Sequence, residues 1–287
     1  MGTSGTFGGS KSGLVPSWVD EPLPKPAKAP GSEPSVHNGP EDGEIGDRTE
    51  GPPALYPPLG PLHIGSDFRV ARANLTRGAR TSDVRAIRRG AGQYVSAVGG
   101  GRAAARRMPS SRVVAAGIAN LARTVSDEGA TEALRRFNLD GLAGAPAVDV
   151  FVALTDALCP PGGTIDEAIA RDAMVETIAE LAAEGIGNFD ELTPEDLQEF
   201  FIGVVSRSIE GKILNEVGTK TIRLSPNLDA VERAQRMLHD FVDGCVRDRF
   251  SASGASLSEL TTEEIDDFVS TLYEAAFDLI RTLGDTE

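Results

Sequence analysis

From Phe68 to the end of the chain, apolar residues recur at three- and four-residue spacing, and no segment alternates apolar and polar positions as a half-buried strand would. Phe68, Ala71 and Leu75 open the pattern. Ser82 and Asp83 then offer a cap to a second helix whose stripe is Val84, Ile87, Ala91, Tyr94, Val95 and Val98, ended by Gly99-Gly100-Gly101. A third helix is predicted from Ser110 through Val125 and a short one from Thr131 to Phe137. Pro146 is placed as a first helical residue ahead of Val148, Val152 and Leu154, and Pro160-Pro161 ends that helix. Thr164 and Glu167 form a capping box before Ala170, Met174, Ile178 and Leu181. Thr193-Pro194-Glu195-Asp196 opens a helix carrying Leu197, Phe200, Phe201 and Val204. Ser225-Pro226 opens another, with Leu228, Val231, Leu238, Val242 and Cys245. Thr261 and Glu264 cap the last, whose stripe is Ile265, Phe268, Val269, Leu272, Ala276, Leu279 and Leu283. The expected fold class is all-α, without a fixed-period repeat.

Residues 1–66 break the pattern. They hold twelve of the eighteen prolines and twelve glycines with few apolar residues, so nothing there offsets the conformational entropy of ordering. The segment reads as a disordered tail, which at random-coil dimensions spans roughly 45 Å. Within it Leu14-Val15-Pro16-Ser17-Trp18-Val19 places the single tryptophan beside aliphatic residues. A lone aromatic anchor in a flexible segment is how such tails grip a partner, so Leu14, Val15, Pro16 and Trp18 are candidate docking residues.

Charge divides the remainder. The net charge is −15, but residues 67–136 carry fourteen arginines against five acids, whereas residues 137–287 carry ten basic groups against thirty acids. The two segments are expected to pack as one domain. The run from Arg69 to Arg112 contains eleven arginines, no lysine and Asp83 as its one acid. The guanidinium fork binds carboxylate and phosphate bidentately, so Arg88, Arg89, Arg102, Arg106 and Arg107 are candidate anion or nucleic-acid contacts. Tyr94 is the only ring in the run, which serves base stacking poorly. Neutralisation by the acidic half of the chain accounts for the same charge, and both readings stay open.

No catalytic constellation emerges. Gly99-Gly100-Gly101-Arg102-Ala103-Ala104 fits the loose dinucleotide pattern G-x-G-x-x-A, with Asp127 beyond it, but a helix precedes it and no parallel sheet is available. The triglycine reads instead as a break between helices. His37 and His63 lie in the tail, and His239 has no His or Cys at ligand spacing, so no metal is expected. Cys159 and Cys245 form no pair and read as small buried hydrophobes. The clustered carboxylates, such as Glu263-Glu264, occupy first helical turns, where they favour the helix dipole and face water. No cofactor is implied. No stretch approaches the ~18 apolar residues of a membrane span and no apolar signal core is present, so the expected setting is the cytoplasm, without membrane contact.

Met1-Gly2-Thr3-Ser4, Gly8-Gly9 and Leu14-Val15-Pro16-Ser17-Trp18 together resemble the N-terminus of the QatB family, a component of bacterial Qat anti-phage defence systems. Phe68-Arg69, Ala71-Arg72, Arg88-Arg89-Gly90, Gly92-Gln93-Tyr94-Val95 and the run from Gly100 to Met108 are similar to that family's central region. The resemblance covers residues 1–20 and 68–125; the acidic half is recognisable only as helical and divergent. It implies three partners, namely a QueC-like enzyme (QatC-type), an ATPase and a TatD-like nuclease. It also implies that this component is the one without a catalytic fold, an adaptor rather than an enzyme.

That resemblance gives the terminus a role. Methionine is trimmed before a residue as small as glycine, and the exposed Gly2 α-amine, with a pKa near ~7.7–8.0, is partly neutral and nucleophilic at neutral pH. QueC-like enzymes activate a carboxy-deazaguanine with ATP for attack by ammonia, and an N-terminal amine is the same nucleophile with one substituent. Gly2 is thus the expected acceptor of a conjugated nucleobase, a post-translational modification for which the small Thr3 and Ser4 leave room. Met1-Gly2-x-x-x-Thr6 also fits the myristoylation motif, which ranks below conjugation because bacteria generally lack that machinery.

Overall fold

The computed structural model describes residues 67–159, 163–218 and 228–286. The tail of residues 1–66 with Gly2 and the Leu14–Trp18 segment, and the Ser225-Pro226 helix start, lie outside the described residues. Among those described, ten α-helices and two single-turn 3-10 helices account for the regular structure: α1 Arg69–Thr81, α2 Val84–Val98, α3 Gly101–Ala105, α4 Pro109–Glu128, α5 Ala130–Arg135, a 3-10 turn Asp140–Leu142, α6 Ala147–Leu158, α7 Ile165–Glu184, a 3-10 turn Phe189–Glu191, α8 Pro194–Val217, α9 Leu228–Ser253 and α10 Thr262–Asp285. The all-α expectation is met.

Local capping chemistry sets four of the starts. The Asp83 carboxylate accepts from the Arg85 and Ala86 amides and begins α2. Thr164 with Glu167, Thr193 with Asp196 and Thr261 with Glu264 each close a reciprocal capping box at the heads of α7, α8 and α10. Pro146 sits one place earlier than expected. It adopts an extended conformation outside α6 and pairs antiparallel with Asn188. The Ala147 amide donates to the Gly187 carbonyl and the Phe189 amide to the Ala145 carbonyl, each at 3.0 Å. This clamp rotates the α6 stripe. Val150, Phe151 and Leu154 are buried, while Val152 is 53% exposed, because Phe151 packs between Phe200, at 3.9 Å between centroids, and Phe189, at 5.7 Å.

One hydrophobic core runs through both charge segments, joining Leu75, Ile87, Tyr94 and Ile118 to Phe201, Val246, Tyr273 and Phe277. Helix α2 contributes Ile87, Tyr94 and Val95 to it. It packs on α1 and on α10, and both crossings are close because they are built on glycine. A Cβ on Gly92 would stand 2.9 Å from the Gly284 Cα of α10. Helix α4 is held from the side: it carries no side-chain cap of its own, and Asp166, from the first turn of α7, accepts from the Ser110 amide at 2.6 Å, the Ser111 amide at 3.3 Å and the Ser111 hydroxyl at 2.9 Å. Among the described residues no helix is long and apolar enough to cross a membrane.

Candidate functional site

The triglycine at the α2–α3 junction is a packing device. Gly99 (φ 100°) and Gly100 (φ 94°) take backbone conformations that favour glycine, and Gly101 lies against the α10 backbone. The Gly101 amide donates to Asp278 Oδ1 at 3.1 Å, so a carboxylate of the chain itself occupies the head of α3, where a dinucleotide-binding loop would hold pyrophosphate.

The five arginines singled out in the sequence do not converge. The Arg88 guanidinium carbon lies 5.5 Å from the centre of the Phe241 ring on α9, a cation–π contact, and Arg89 is half-buried on the same helix. Arg102 is exposed, 3.7 Å from Glu274 on α10, and Arg106 is exposed beyond the end of α3. Arg107 turns to α8 and donates to Glu216 at 3.0 Å. Tyr94 donates to the same carboxylate at 3.3 Å, Lys212 lies 3.2 Å from it, and the Lys212 ammonium donates to the Arg107 carbonyl at 2.8 Å. Burial beside Glu216 pushes the Tyr94 phenol well above its ordinary range. Arg72 and Arg112 are likewise tied across the domain, to the Val217 carbonyl and the Ser270 hydroxyl. Part of the basic run therefore neutralises and fastens the acidic helices.

A cleft of about 580 Å³ opens between α7, α8 and α9. Arg207 is clasped there by Glu180 at 2.5 Å and Glu176 at 3.5 Å, and burial raises the Glu176 carboxyl. His239, which has no His or Cys at ligand spacing in the sequence, is paired with a carboxylate: its Nδ1 lies 2.9 Å from Glu210 Oε2. The available clue was a carboxylate set between Ile209 and Ile213. The cleft is lined by carboxylates, arginines, the amides of Asn215 and Gln235 and the His239 imidazole. The two cysteines are buried elsewhere, with thiols raised by desolvation to about 11 for Cys159 and about 12 for Cys245, well outside the range of reactive thiolates. Among the described residues no group of three or more His, Cys, Asp or Glu could hold a metal ion.

The His239–Glu210 contact has a measurable consequence. The Glu210 hydrogen bond raises the imidazole pKa above its ordinary value against the opposing effect of burial, with Asp243 adding to the rise and Arg207 opposing it. A group whose folded pKa is raised stabilises fully below its unfolded pKa, about 6.5, and loses that contribution as pH climbs through the folded value. Unfolding free energy measured in denaturant is therefore expected to fall as pH rises upward from about 6.5, and His239→Gln should flatten that part of the profile. An unchanged slope in the variant would count against the contact.

Compared with known proteins, residues 99–280 match the family model described as QatB, Qat anti-phage system associated protein. No curated protein and no solved structure matches the chain significantly.

Proposed function

The chain belongs to the QatB family and so to the Qat anti-phage defence system, and from that premise we propose that it acts without catalysing a reaction, as a protein substrate and adaptor that presents Gly2 to a QueC-like partner. One observation carries the reading: a glycine-led terminus, Met1-Gly2-Thr3-Ser4, stands a dozen residues ahead of an apolar segment, Leu14–Trp18, that suits docking. The docking segment holds the partner while the terminus enters its active site. There the neutral Gly2 amine attacks the ATP-activated carboxyl of the deazaguanine. A C–N amide bond forms, the nucleotide leaves with the oxygen it had activated, and the amine gives up a proton to solvent.

The helical domain suits a scaffold. Half-buried charged groups hold its helices to one another: Glu216 gathers Tyr94, Arg107 and Lys212, and Arg207 gathers two glutamates. The ATPase and the TatD-like nuclease of the system are further partners on this reading.

Mass spectrometry of the N-terminal peptide after co-expression with the QueC-like partner is expected to find Gly2 carrying the nucleobase through an amide. Trp18→Ala should lower the conjugated fraction and leave the melting of the helical domain unchanged. An unmodified Gly2 in a cell that mounts the defence overturns the mechanism.

A further inference from the structure

Arg69, Arg72, Arg77 and Arg80 border a shallow groove of about 450 Å³ along the exposed side of α1, with Ala73 and Thr76 at its floor. We propose that this face binds the phosphate backbone of duplex nucleic acid without reading its sequence. The proposal is independent of the fate of Gly2, and it assigns phosphate contact to residues other than the five picked from the sequence.

Arg69 and Arg80 are eleven residues apart, which returns them to one side of the helix and separates them by roughly 17 Å at a rise of about 1.5 Å per residue. That distance covers about five nucleotides of one strand of a duplex, at about 3.4 Å each. The charge on this face is left available. Elsewhere in the domain arginines meet acids, as in Arg107–Glu216, Arg136–Glu128 and Arg247–Glu199. Among the described residues the guanidinium groups of Arg77 and Arg80 have neither a hydrogen-bond nor an ion-pair partner, although the chain holds forty-three acids. Arg72 is steadied through Nε on the Val217 carbonyl. Arg69 is held by Asp67 in an exposed pair, an arrangement that a phosphate exchanges readily in high dielectric. Guanidinium forks on a surface are built for bidentate oxyanions.

The rest of the face decides which polyanion. A protein partner needs a buried aromatic or aliphatic anchor, and Val70 is the one large aliphatic side chain exposed on α1. A single strand needs rings on which bases stack, and the nearest ring, Phe68, is stacked on Tyr94 at 5.5 Å. Small floor residues between arginines instead let a phosphate ridge come close to the helix, and contact limited to phosphates carries no sequence information.

Fluorescence anisotropy of the full chain with a labelled mixed-sequence DNA duplex of about two helical turns tests this. Four phosphate contacts predict a log–log salt slope of about −3.6, on the order of a 100-fold loss of affinity between 50 and 200 mM salt. Arg77→Gln with Arg80→Gln, exposed and helix-compatible changes, should bring the slope to about −1.8, while Arg102→Gln with Arg106→Gln should leave it unchanged. Absence of binding at 50 mM salt overturns the proposal, as does a slope that the first double variant does not move. So does preference for the single strand. Equal capture of polyglutamate with the same sensitivity to Arg77 and Arg80 overturns it in favour of an acidic protein partner.

Discussion

Gly101→Ala is expected to lower the melting temperature by roughly 6–12 °C, the equivalent of about 3 kcal/mol for a domain of this size. An added Cβ would meet the Glu274 carbonyl oxygen at 2.5 Å and the Asp278 carboxyl carbon at 2.7 Å. The first of these is backbone in the middle of α10, so no rotamer change relieves it, and α3 has to move off its support. Overpacking of this kind typically costs about 1–3 kcal/mol, and the displacement also loosens the hydrogen bond from the Gly101 amide to Asp278, which as a bond to a charged group contributes roughly 1.5–3 kcal/mol. Gly92→Ala, against the Gly284 Cα at 2.9 Å and two α10 carbonyls at 3.2 Å, should act in the same direction. Gly244→Ala supplies the opposite sign: nothing lies within 4 Å of its added Cβ in the interior of α9, so relief of glycine's helix penalty is expected to stabilise by about 0.5–1 kcal/mol. Thermal melts of the three variants check the ranking. A neutral Gly101→Ala would mean that α3 does not sit on α10 as described.

What was legible in the sequence is what depends on neighbours along the chain. Capping boxes involve residues three apart, and Asp83 reaches only two or three positions ahead, so those helix starts could be read directly. The α6 stripe could not, because Ala147–Leu158 is apolar on nearly every side and its phase is chosen by Phe189 and Phe200 from other segments. The same limit governed the charged residues. Arginines dense in sequence read as one patch, yet Arg88 faces α9, Arg107 faces α8 and Arg102 faces α10. Glu210 with His239 and Glu216 with Arg107 meet only through tertiary packing. The family resemblance shows a related division. Residues 1–20 and 68–125 carried it by short unusual motifs, while the family match runs over residues 99–280. It thus includes most of the acidic half, whose spaced apolar stripes are shared by many helical proteins and are not distinctive one at a time.

Asp166→Ala is expected to destabilise the domain by about 3–5 kcal/mol, as the removal of one side of a buried charged network does. Asp166 is one of several acids in a first helical turn, a position where a carboxylate ordinarily faces water. Here it is 7% exposed and serves a helix other than its own. Both of its oxygens are used, by the Ser110 and Ser111 amides and by the Ser111 hydroxyl, and these are among the donors that the first turn of α4 cannot satisfy internally. Its charge also lies at the positive end of the α4 dipole. Alanine leaves the two amides and the hydroxyl short of an acceptor in a closed site, whereas asparagine keeps the volume and one acceptor, so Asp166→Asn should lose less. Ser111→Ala removes only the hydroxyl contact and should lose least. Because Asp166 and Ser111 touch, their double variant is expected to fall short of the sum of the singles. Denaturant unfolding of the two single variants and the double gives that coupling, and strict additivity would show that the carboxylate does not hold α4 through Ser111.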